Sequence, residues 1–484
     1  MRRGAIAVAL ILSAAGPATA DTKAVLLSGS TVRYLQTPGA VENFGDLLKE
    51  GMFYGRLRVN AFRFDWQEAS SEREDNWAIG IGGSLVYKSA VYRGWSATAG
   101  LYTSQNPIHM ADSEVIDLKG GKDTTSRYRV LTGGEWGMTV PALAYVQYRG
   151  GPFRIRAGRQ IFESLLSGGN DTKMIPNTFE GYSVESKGWL GVDMRGAWLI
   201  RQKLRDHTSF HHVLAYGDDP ADPYAAYSQN DDSAMHRGLT LKKLRERGIE
   251  DRLFILQAER RLTSSTVATV NYTAVFDLVS SATAEGRWRF WLHGYRIAPA
   301  LRYMRQFDLG GGAIGGANLR VDTRGYRDPD SLEGAMVAAR VDLDDEGAWR
   351  LRLGFSQIAD RADLVAPWRG FPTGGYTRAM GQYNWYAGTR SWMVRIDYDF
   401  DGAGLIPGLT TMARFVVQDF DDTKPGVPAD SDVLHLDAIE RFEALPGLET
   451  RVRIAIVEGD PQSGPVPKSD PSYREYRLEF NYLF

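Results

Sequence analysis

Arginines recur at every second position in several stretches of the chain, and apolar residues lie between them. In one such stretch Arg56 and Arg58 alternate with Leu57 and Val59. A guanidinium is permanently charged, and its planar fork binds carboxylates through two parallel hydrogen bonds. The arginines that share this pattern are candidates for binding anions: Arg56, Arg58, Arg154, Arg156, Arg350, Arg352, Arg395, Arg414, Arg451, Arg453 and Arg477. Acidic residues are fewer on the same face: Asp277, Asp397, Asp399, Glu475 and Glu479.

Residues 158–182 interrupt the alternation between two such stretches. Turn-forming residues are concentrated there, among them Gly168, Gly169, Asn170 and Pro176. We interpret the segment as a long ordered loop inserted between two strands, although an ordinary surface loop would have a similar composition. If the loop folds towards the arginine-bearing face, Asp171 and Lys173 are its candidate solute-binding residues.

Signals for catalysis or for a cofactor are weak. The seven histidines include no H-E-x-x-H spacing, and the glycine-rich stretch 310–316 lacks the G-K-[ST] of a phosphate-binding loop. A turn is expected there instead. Asp231 and Asp232 do not have the spacing of an EF-hand calcium loop. The sequence therefore predicts no enzymatic activity, no cofactor and no metal site.

Strands with one apolar and one polar face must position the arginines. The last one is the clearest, since Tyr476, Leu478 and Phe480 alternate with Arg477 and Glu479. Mean hydropathy is −0.31 and there is no cysteine. Beyond residue 20, no apolar run approaches the ~18 residues of a transmembrane helix. Half-apolar strands can cross a membrane only as a closed barrel, with the polar face inwards.

Residues 1–20 have the pattern of a secretory signal. Arg2 and Arg3 precede an uncharged apolar core, and residues 18–20 fit a cleavage site. Without this segment the 57 basic residues fall to 55 against 59 acidic residues, a net charge of −4, so no nucleic-acid partner is expected. The predicted location is the outer membrane of a Gram-negative bacterium, in contact with its lipid and lipopolysaccharide.

The chain has no internal break that would mark a second domain. Residues 21–50 precede the first strand, and we interpret residues 21–484 as one all-β domain, an antiparallel transmembrane β-barrel. The mature length allows ~16–18 strands of ~10 residues plus loops. A soluble β-sandwich would also alternate, but it seldom needs so many strands. The basic stretch 233–251 is expected to form a short helix in an external loop.

Two stretches resemble the OprD family of substrate-specific outer-membrane porins. One is residues 170–181, NDTKMIPNTFEG, and the other is residues 376–380 together with 387–389. The ending at residues 482–484, YLF, is common to outer-membrane barrels. The resemblance implies eighteen strands, a monomer or a loose homotrimer, and a third external loop folded inwards as a constriction.

The same resemblance implies a row of basic side chains in the lumen and a cargo that bears a carboxylate. Lys173 departs from the arginine expected at its position, and lysine lacks the planar fork that binds a carboxylate bidentately. A lysine there is expected to meet the solute's negative group as a compact, mobile charge.

The function expected from the lumenal charge is passive uptake of small, anionic, carboxylate-bearing solutes. A low-dielectric wall would focus the field of the arginines along the lumen. The alternative is that the arginines pair with lumenal carboxylates as ordinary filler. Two other functions stay open: a barrel enzyme acting on lipid, and a receptor or adhesin whose barrel is only an anchor.

Overall fold

The structure, a computed structural model, describes residues 23–70, 73–218 and 235–484. The predicted signal, residues 1–20, lies outside the described residues, and so do Asp231 and Asp232. Within the described ranges the chain forms a closed antiparallel barrel of eighteen long strands, as the sequence predicts. The last strand pairs with the first, with Tyr473 opposite Trp66 and Leu483 opposite Arg56.

The barrel strands follow one another around the wall in chain order. Their bounds are β1 Met52–Trp66, β2 Asn76–Lys88, β3 Trp95–Gln105, β4 Met138–Gly150, β5 Phe153–Gln160, β6 Thr178–Trp189, β7 Val192–Lys203, β8 Leu253–Arg261, β9 Thr266–Val275, β10 Val279–Trp288, β11 Tyr295–Asp308, β12 Gly334–Asp344, β13 Trp349–Ile358, β14 Arg390–Asp399, β15 Leu409–Asp419, β16 Asp430–Arg441, β17 Leu448–Asp460 and β18 Tyr473–Leu483. Four shorter strands, Ala24–Leu26, Val32–Tyr34, Ala40–Val41 and Val91–Tyr92, lie near the start of the chain, and Phe290–Leu292 lies before β11.

Side chains alternate along each strand between an apolar outer face and a polar inner face. Phe53 and Leu57 are exposed on the outer face of β1, whereas Arg56 and Arg58 are 2% exposed on its inner face. This is the register that the sequence predicts. A polar inner face without side chains from elsewhere would be open to water, so the burial of these arginines means that other segments fill this part of the lumen.

Connections differ at the two ends of the barrel. At one end, the short-turn end, residues 151–152 and 190–191 are enough to join neighbouring strands. At the other, the long-loop end, residues 106–137, 204–252 and 359–389 join them. Such an alternation of short turns and long loops is typical of outer-membrane barrels.

One predicted lumenal residue lies elsewhere. Asp277 was expected on the inner face of β9, but that strand ends at Val275 and Asp277 is exposed in a three-residue turn at the long-loop end. Its φ of 65° is a left-handed conformation that aspartate tolerates better than most residues. The turn, rather than the strand, therefore determines its position.

Helices are short and lie outside the barrel strands. They are α1 Asp46–Lys49, α2 Arg127–Gly133, α3 Leu241–Glu246 and α4 Gly312–Gly315, with 3₁₀ turns at Ser28–Ser30, Asp112–Asp117 and Lys122–Thr124. Helix α3 lies within the stretch 233–251, where a short helix was expected, and α4 lies where the sequence predicts a turn. Among the described residues, no helix is long and apolar enough to span a membrane.

Aromatic pairs border the short turns on neighbouring strands. Trp95 and Tyr148 have ring centroids 5.0 Å apart, and Phe153 and Trp189 have centroids 5.5 Å apart. Membrane interfaces favour such amphipathic rings, and outer-membrane barrels have girdles of them. The pairs therefore mark the interface at the short-turn end.

Candidate functional site

The loop between β5 and β6, residues 161–177, folds into the lumen, and we call it the inward loop. Asp171 at its tip accepts hydrogen bonds from Arg56 at 2.8 Å and from Arg58 at 2.6 Å. The three side chains are at most 5% exposed. A buried charge pair of this kind is costly to break, because either partner alone would be left uncompensated. The pair therefore fixes the loop against β1.

The inward loop also closes on itself. Asn170 has a positive φ of 40°, a conformation that asparagine adopts more readily than most residues, and it turns the chain. Asn177 then donates from its backbone to the Gly169 carbonyl at 2.8 Å and from its side chain to the Gly168 carbonyl at 2.9 Å. Met174 and Ile175 are buried against the inner faces of β2, β3 and β4. The turn residues seen in the sequence therefore build an ordered, wall-bound loop.

Lys173 lies against the wall. Its ammonium is 4.2 Å from the centroid of the Phe62 ring, its backbone carbonyl accepts from Asn60, and the residue is 4% exposed. Burial, together with the nearby Arg477 guanidinium, lowers the pKa of the Lys173 ammonium to about 7. In this position the side chain stabilises the docked loop and does not extend into open lumen.

A second segment from the long-loop end, residues 359–389, also enters the lumen, and we call it the inward segment. Arginines on the barrel wall donate to its backbone carbonyls: Arg302 to Pro372 at 2.8 Å, Arg340 to Gly375 at 2.9 Å, Arg352 to Gly375 at 3.2 Å, and Arg414 to Arg378. A carbonyl is neutral, so a guanidinium that binds one keeps its positive charge. Two of the four are exceptions, since Arg302 also pairs with Glu285 at 2.6 Å and Arg352 also pairs with Asp342 at 2.5 Å.

Arg378 organises the inward segment from within. Its guanidinium carbon is 5.5 Å from the ring centroid of Phe371, 4.9 Å from that of Tyr383 and 6.0 Å from that of Trp385. It donates to the carbonyl of Gly381 at 3.0 Å, and burial lowers the pKa of this guanidinium. The aromatic residues therefore hold a charged side chain in the middle of the segment.

The inward loop and the inward segment touch each other across the lumen. The Gly168 amide donates to the Trp368 carbonyl at 3.0 Å, and the Gly370 amide donates to the Leu166 carbonyl at 3.2 Å. Trp368 in turn donates from its indole to the Val213 carbonyl at 2.9 Å. The two segments therefore form one layer inside the barrel, so the open path through the lumen must pass beside this layer.

A cavity of about 690 Å³ lies on the inner face of the strands from β11 to β17 and of their short turns. Charged residues of both signs line it: Arg296, Arg350, Arg395, Arg414, Arg441 and Arg451, with Asp344, Glu346, Asp397, Asp399, Asp437 and Glu449. His435 and Tyr398 lie on the same surface. Among the described residues, the six arginines are thus balanced by six carboxylates.

The predicted arginines occupy three places. Arg56 and Arg58 lie beneath the inward loop, Arg154 and Arg156 flank Glu185, and the others lie on strands β13 to β18. Ten of the eleven have a carboxylate oxygen within 4.0 Å: Arg56 and Arg58 (Asp171), Arg154 and Arg156 (Glu185), Arg350 (Asp344), Arg352 (Asp342), Arg395 (Asp397), Arg451 and Arg453 (Asp437), and Arg477 (Glu475). Most of the predicted arginines therefore lie in the lumen and are also paired with a carboxylate.

Three of these arginines lie side by side on adjacent strands. Arg352 is directly opposite Arg395, and Arg395 is directly opposite Arg414, with His435 next in the same row. Like charges at directly opposed positions repel each other. Asp342 and Asp397 offset the first two charges, while the described bond of Arg414 goes to a carbonyl. We call Arg352, Arg395 and Arg414 the arginine row.

Sequence reasoning missed Arg302, Arg340 and Arg378. The first two were within its reach, because Arg302 alternates with the outward Leu301 and Tyr303, and Arg340 lies beside the outward Val341. Arg378 lies in a loop, where no period identifies the buried face. Its role can be recognised only from the structure, where three aromatic rings surround its guanidinium.

No protein-family model and no curated protein matches this sequence. Solved structures do match. OpdK of Pseudomonas aeruginosa, solved with vanillate, is 17% identical with a TM-score of 0.66, and OccAB3 of Acinetobacter baumannii is 14% identical with a TM-score of 0.69. OccK8 (OprE) of Pseudomonas aeruginosa is 15% identical with a TM-score of 0.68. Each match covers 90% of this chain and 99% of the other.

These matches agree with the sequence resemblance and with the predicted outer-membrane location. The strand number and the loop folded into the lumen were expected from that resemblance, and the closure of the barrel was expected from the alternation of its strands. All three are present. The chain has the fold of the OprD-family outer-membrane porins.

Proposed function

We propose that this protein is an outer-membrane channel for passive uptake of small anionic solutes, chiefly those that bear a carboxylate. The arginine row is the observation that carries the proposal. Three guanidiniums lie at directly opposed positions, Asp342 and Asp397 offset two of their charges, and an anion beside Arg414 would offset the third. Because they lie on strands of a closed barrel, an anion reaches them only through the lumen.

The cavity beside the row supports the same proposal. Arg350 lines it with a side chain that is 47% exposed, although Asp344 lies 3.5 Å away, so its fork stays open to a second anion. Arg395 and Arg414 of the row line the cavity as well. A structure with this fold, OpdK, was solved with vanillate, which is a carboxylate. Each of these points supports a carboxylate as the favoured charged group.

The balance of charge in the cavity limits how strong the preference should be. Six carboxylates face six arginines, so the lining does not repel cations uniformly. Selectivity should come from the arginine row and not from net lumenal charge. We therefore expect moderate anion selectivity that depends on these few positions.

The test is the reversal potential of a planar bilayer that separates two concentrations of potassium chloride. The unmodified channel should give an anion-selective potential, and Arg352→Gln/Arg395→Gln/Arg414→Gln should move it towards zero or to cation selectivity. Arg63→Gln is the matched control, because that side chain is 67% exposed on the outer face. A cation-selective parent, or a triple variant that behaves as the parent does, would contradict the proposal.

Each variant must first be shown to be folded. A closed barrel has no unpaired edges, so the unheated protein should resist SDS and migrate differently after boiling. Lumenal substitutions change selectivity more than stability, and the triple variant should keep this heat-dependent shift.

A further inference from the structure

The chain before β1 forms a small hairpin inside the short-turn end of the barrel. Ala24–Leu26 pairs with Val32–Tyr34, and residues 27–31 form its tip. Its strands of three residues are too short to show a period, so no pattern in the sequence predicts this hairpin. We call residues 24–34 the amino-terminal hairpin.

The tip of the hairpin lies in the lumen. The Ser30 carbonyl accepts a hydrogen bond from Arg56 at 3.1 Å, and Ser30 is 3% exposed. The Thr31 hydroxyl lies 3.5 Å from a carboxylate oxygen of Glu163, which belongs to the inward loop. The tip therefore lies between the barrel wall and the inward loop.

The base of the hairpin is held by the inner face of β1 and β2. The Tyr54 hydroxyl donates to the Gln36 carbonyl at 2.7 Å, and the rings of Tyr34 and Tyr54 are 4.5 Å apart. The Lys88 ammonium lies 3.5 Å from the centroid of the Tyr34 ring. Ala24 and Leu26 pack against Leu483 at the closing strand. An isolated two-stranded hairpin is marginal in water, so these contacts are what order it.

Arg56 connects the hairpin with both other parts of the site. Its guanidinium donates to Ser30 of the hairpin, to Asp171 of the inward loop and to Asn481 of β18, the last at 2.8 Å. One buried side chain thus joins the hairpin, the inward loop and β18, the strand that closes the barrel. The hairpin is part of the same ordered interior as the inward loop.

Leu27, at the start of the tip, lines the 690 Å³ cavity together with the arginines. We propose that the amino-terminal hairpin is a second pore-narrowing element, which limits the size of solutes at the short-turn end. It adds to the narrowing by the inward loop, which enters the lumen from the opposite end and contacts the hairpin through Glu163 and Thr31. This proposal goes beyond the proposed function, because it concerns pore size and holds whether the channel prefers anions or cations.

The first experiment removes the hairpin. Deletion of residues 24–34 should raise single-channel conductance by at least about 1.5-fold, because the space that the hairpin fills joins the cavity. Liposomes that contain the deletion variant should also swell faster in a neutral trisaccharide than liposomes with the intact protein. A variant that keeps its heat-dependent migration and conducts as the parent does would overturn the proposal.

The second experiment leaves the hairpin in place and uses the absence of cysteine from the chain. Leu27→Cys introduces a single thiol, whose thiolate attacks a sulfonatoethyl methanethiosulfonate reagent, so that a mixed disulfide forms and methanesulfinate leaves. The bulky group, added from the short-turn side, should lower the current by about half or more if the tip lies in the conducting path.

The matched control is Leu48→Cys in α1. Leu48 is 65% exposed, and its carbonyl accepts from Tyr87, whose ring packs against the outward Phe53. This thiol should react equally well without a change in current. Complete labelling of Leu27→Cys, shown by mass, with an unchanged current would overturn the proposal, and so would an equal fall in both variants.

Discussion

The inward loop and the inward segment enter the same lumen but are held by different chemistry. The inward loop is fixed by an acid, since Asp171 binds Arg56 and Arg58 from β1. The inward segment is fixed by backbone carbonyls, which accept from arginines on four strands of the opposite wall. In both places arginine on the wall provides the hydrogen-bond donors.

The two regions differ in how much of the positive charge of the anchoring arginines is left without a counter-charge. The Asp171 carboxylate offsets the positive charge beneath the inward loop, so that these arginines mainly fix its position. A carbonyl offers a dipole without a charge, so Arg340 and Arg414 keep theirs beside the inward segment. We therefore expect different parts of the barrel to anchor the inward loop and to select anions. The loop is anchored at β1, and anions are selected near β12 to β15.

Removing the tip of the inward loop should have the largest effect. Deletion of residues 167–176 takes away Asp171, Met174 and the contact with Trp368, so single-channel conductance should rise several-fold, as expected when a constriction is lost. Deletion of residues 462–467, in a largely exposed loop at the same end of the barrel, is the control and should leave conductance unchanged. Equal conductance in the parent and in a correctly inserted 167–176 deletion would mean that this loop does not set the constriction.

Asp171→Asn should release the inward loop without shortening it. Two guanidiniums at most 2% exposed would lose their counter-charge, a change that costs about 3–5 kcal/mol when one partner of a buried pair is removed. Single-channel recordings should show a larger and noisier conductance, and protease should cut the loop faster.

The control for Asp171→Asn is an exposed pair. Asp65→Asn removes the partner of Arg63, whose side chain is 67% exposed, and such pairs contribute at most about 1 kcal/mol. If both variants left the conductance and the cutting rate unchanged, the buried pair would not be what holds the loop.

Local pattern was enough to predict the barrel and one side of the site. A period of two identifies the inner face of β1, so Arg56 and Arg58 could be assigned to the lumen from the sequence, and turn residues identified the inward loop. The partners of these arginines could not be predicted, because Asp171 is 115 residues from Arg56 along the chain. Lys173 shows the same limit, since its burial depends on Phe62 and Asn60, two residues of a distant strand.

The source of the selectivity can be tested by removing either a single positive charge or a pair of opposite charges. Arg414→Gln removes a positive charge whose described bond goes to a carbonyl, and it should lower the anion-to-cation permeability ratio by about two-fold. Arg395→Gln/Asp397→Asn removes a paired charge of each sign and should leave the ratio nearly unchanged. Reversal potentials measured at one salt gradient compare the two directly. Equal shifts would show that pairing does not decide selectivity.

Docking of the inward loop should also depend on pH, through Lys173. The pKa of its ammonium is about 7 in the docked loop, against 10.5 for an unperturbed lysine, because burial disfavours the charged form. Between these two values the undocked loop binds more protons than the docked loop, so docking strengthens as pH rises from about 7. Below pH 7 both states are protonated, and docking should no longer change with pH through this group.

Thiol labelling can measure this dependence. Met174→Cys places a thiol at a position that is 0% exposed in the docked loop, so a maleimide reacts only when the loop undocks. Its labelling rate, divided by that of the exposed Leu48→Cys at the same pH to remove the effect of thiol ionisation, should fall between pH 7 and 9 by up to about ten-fold per pH unit. Adding Lys173→Met should abolish the fall, because no proton is then lost on docking. A fall that persists in the Lys173→Met background would assign the pH dependence to another group and would leave Lys173 with a packing role alone.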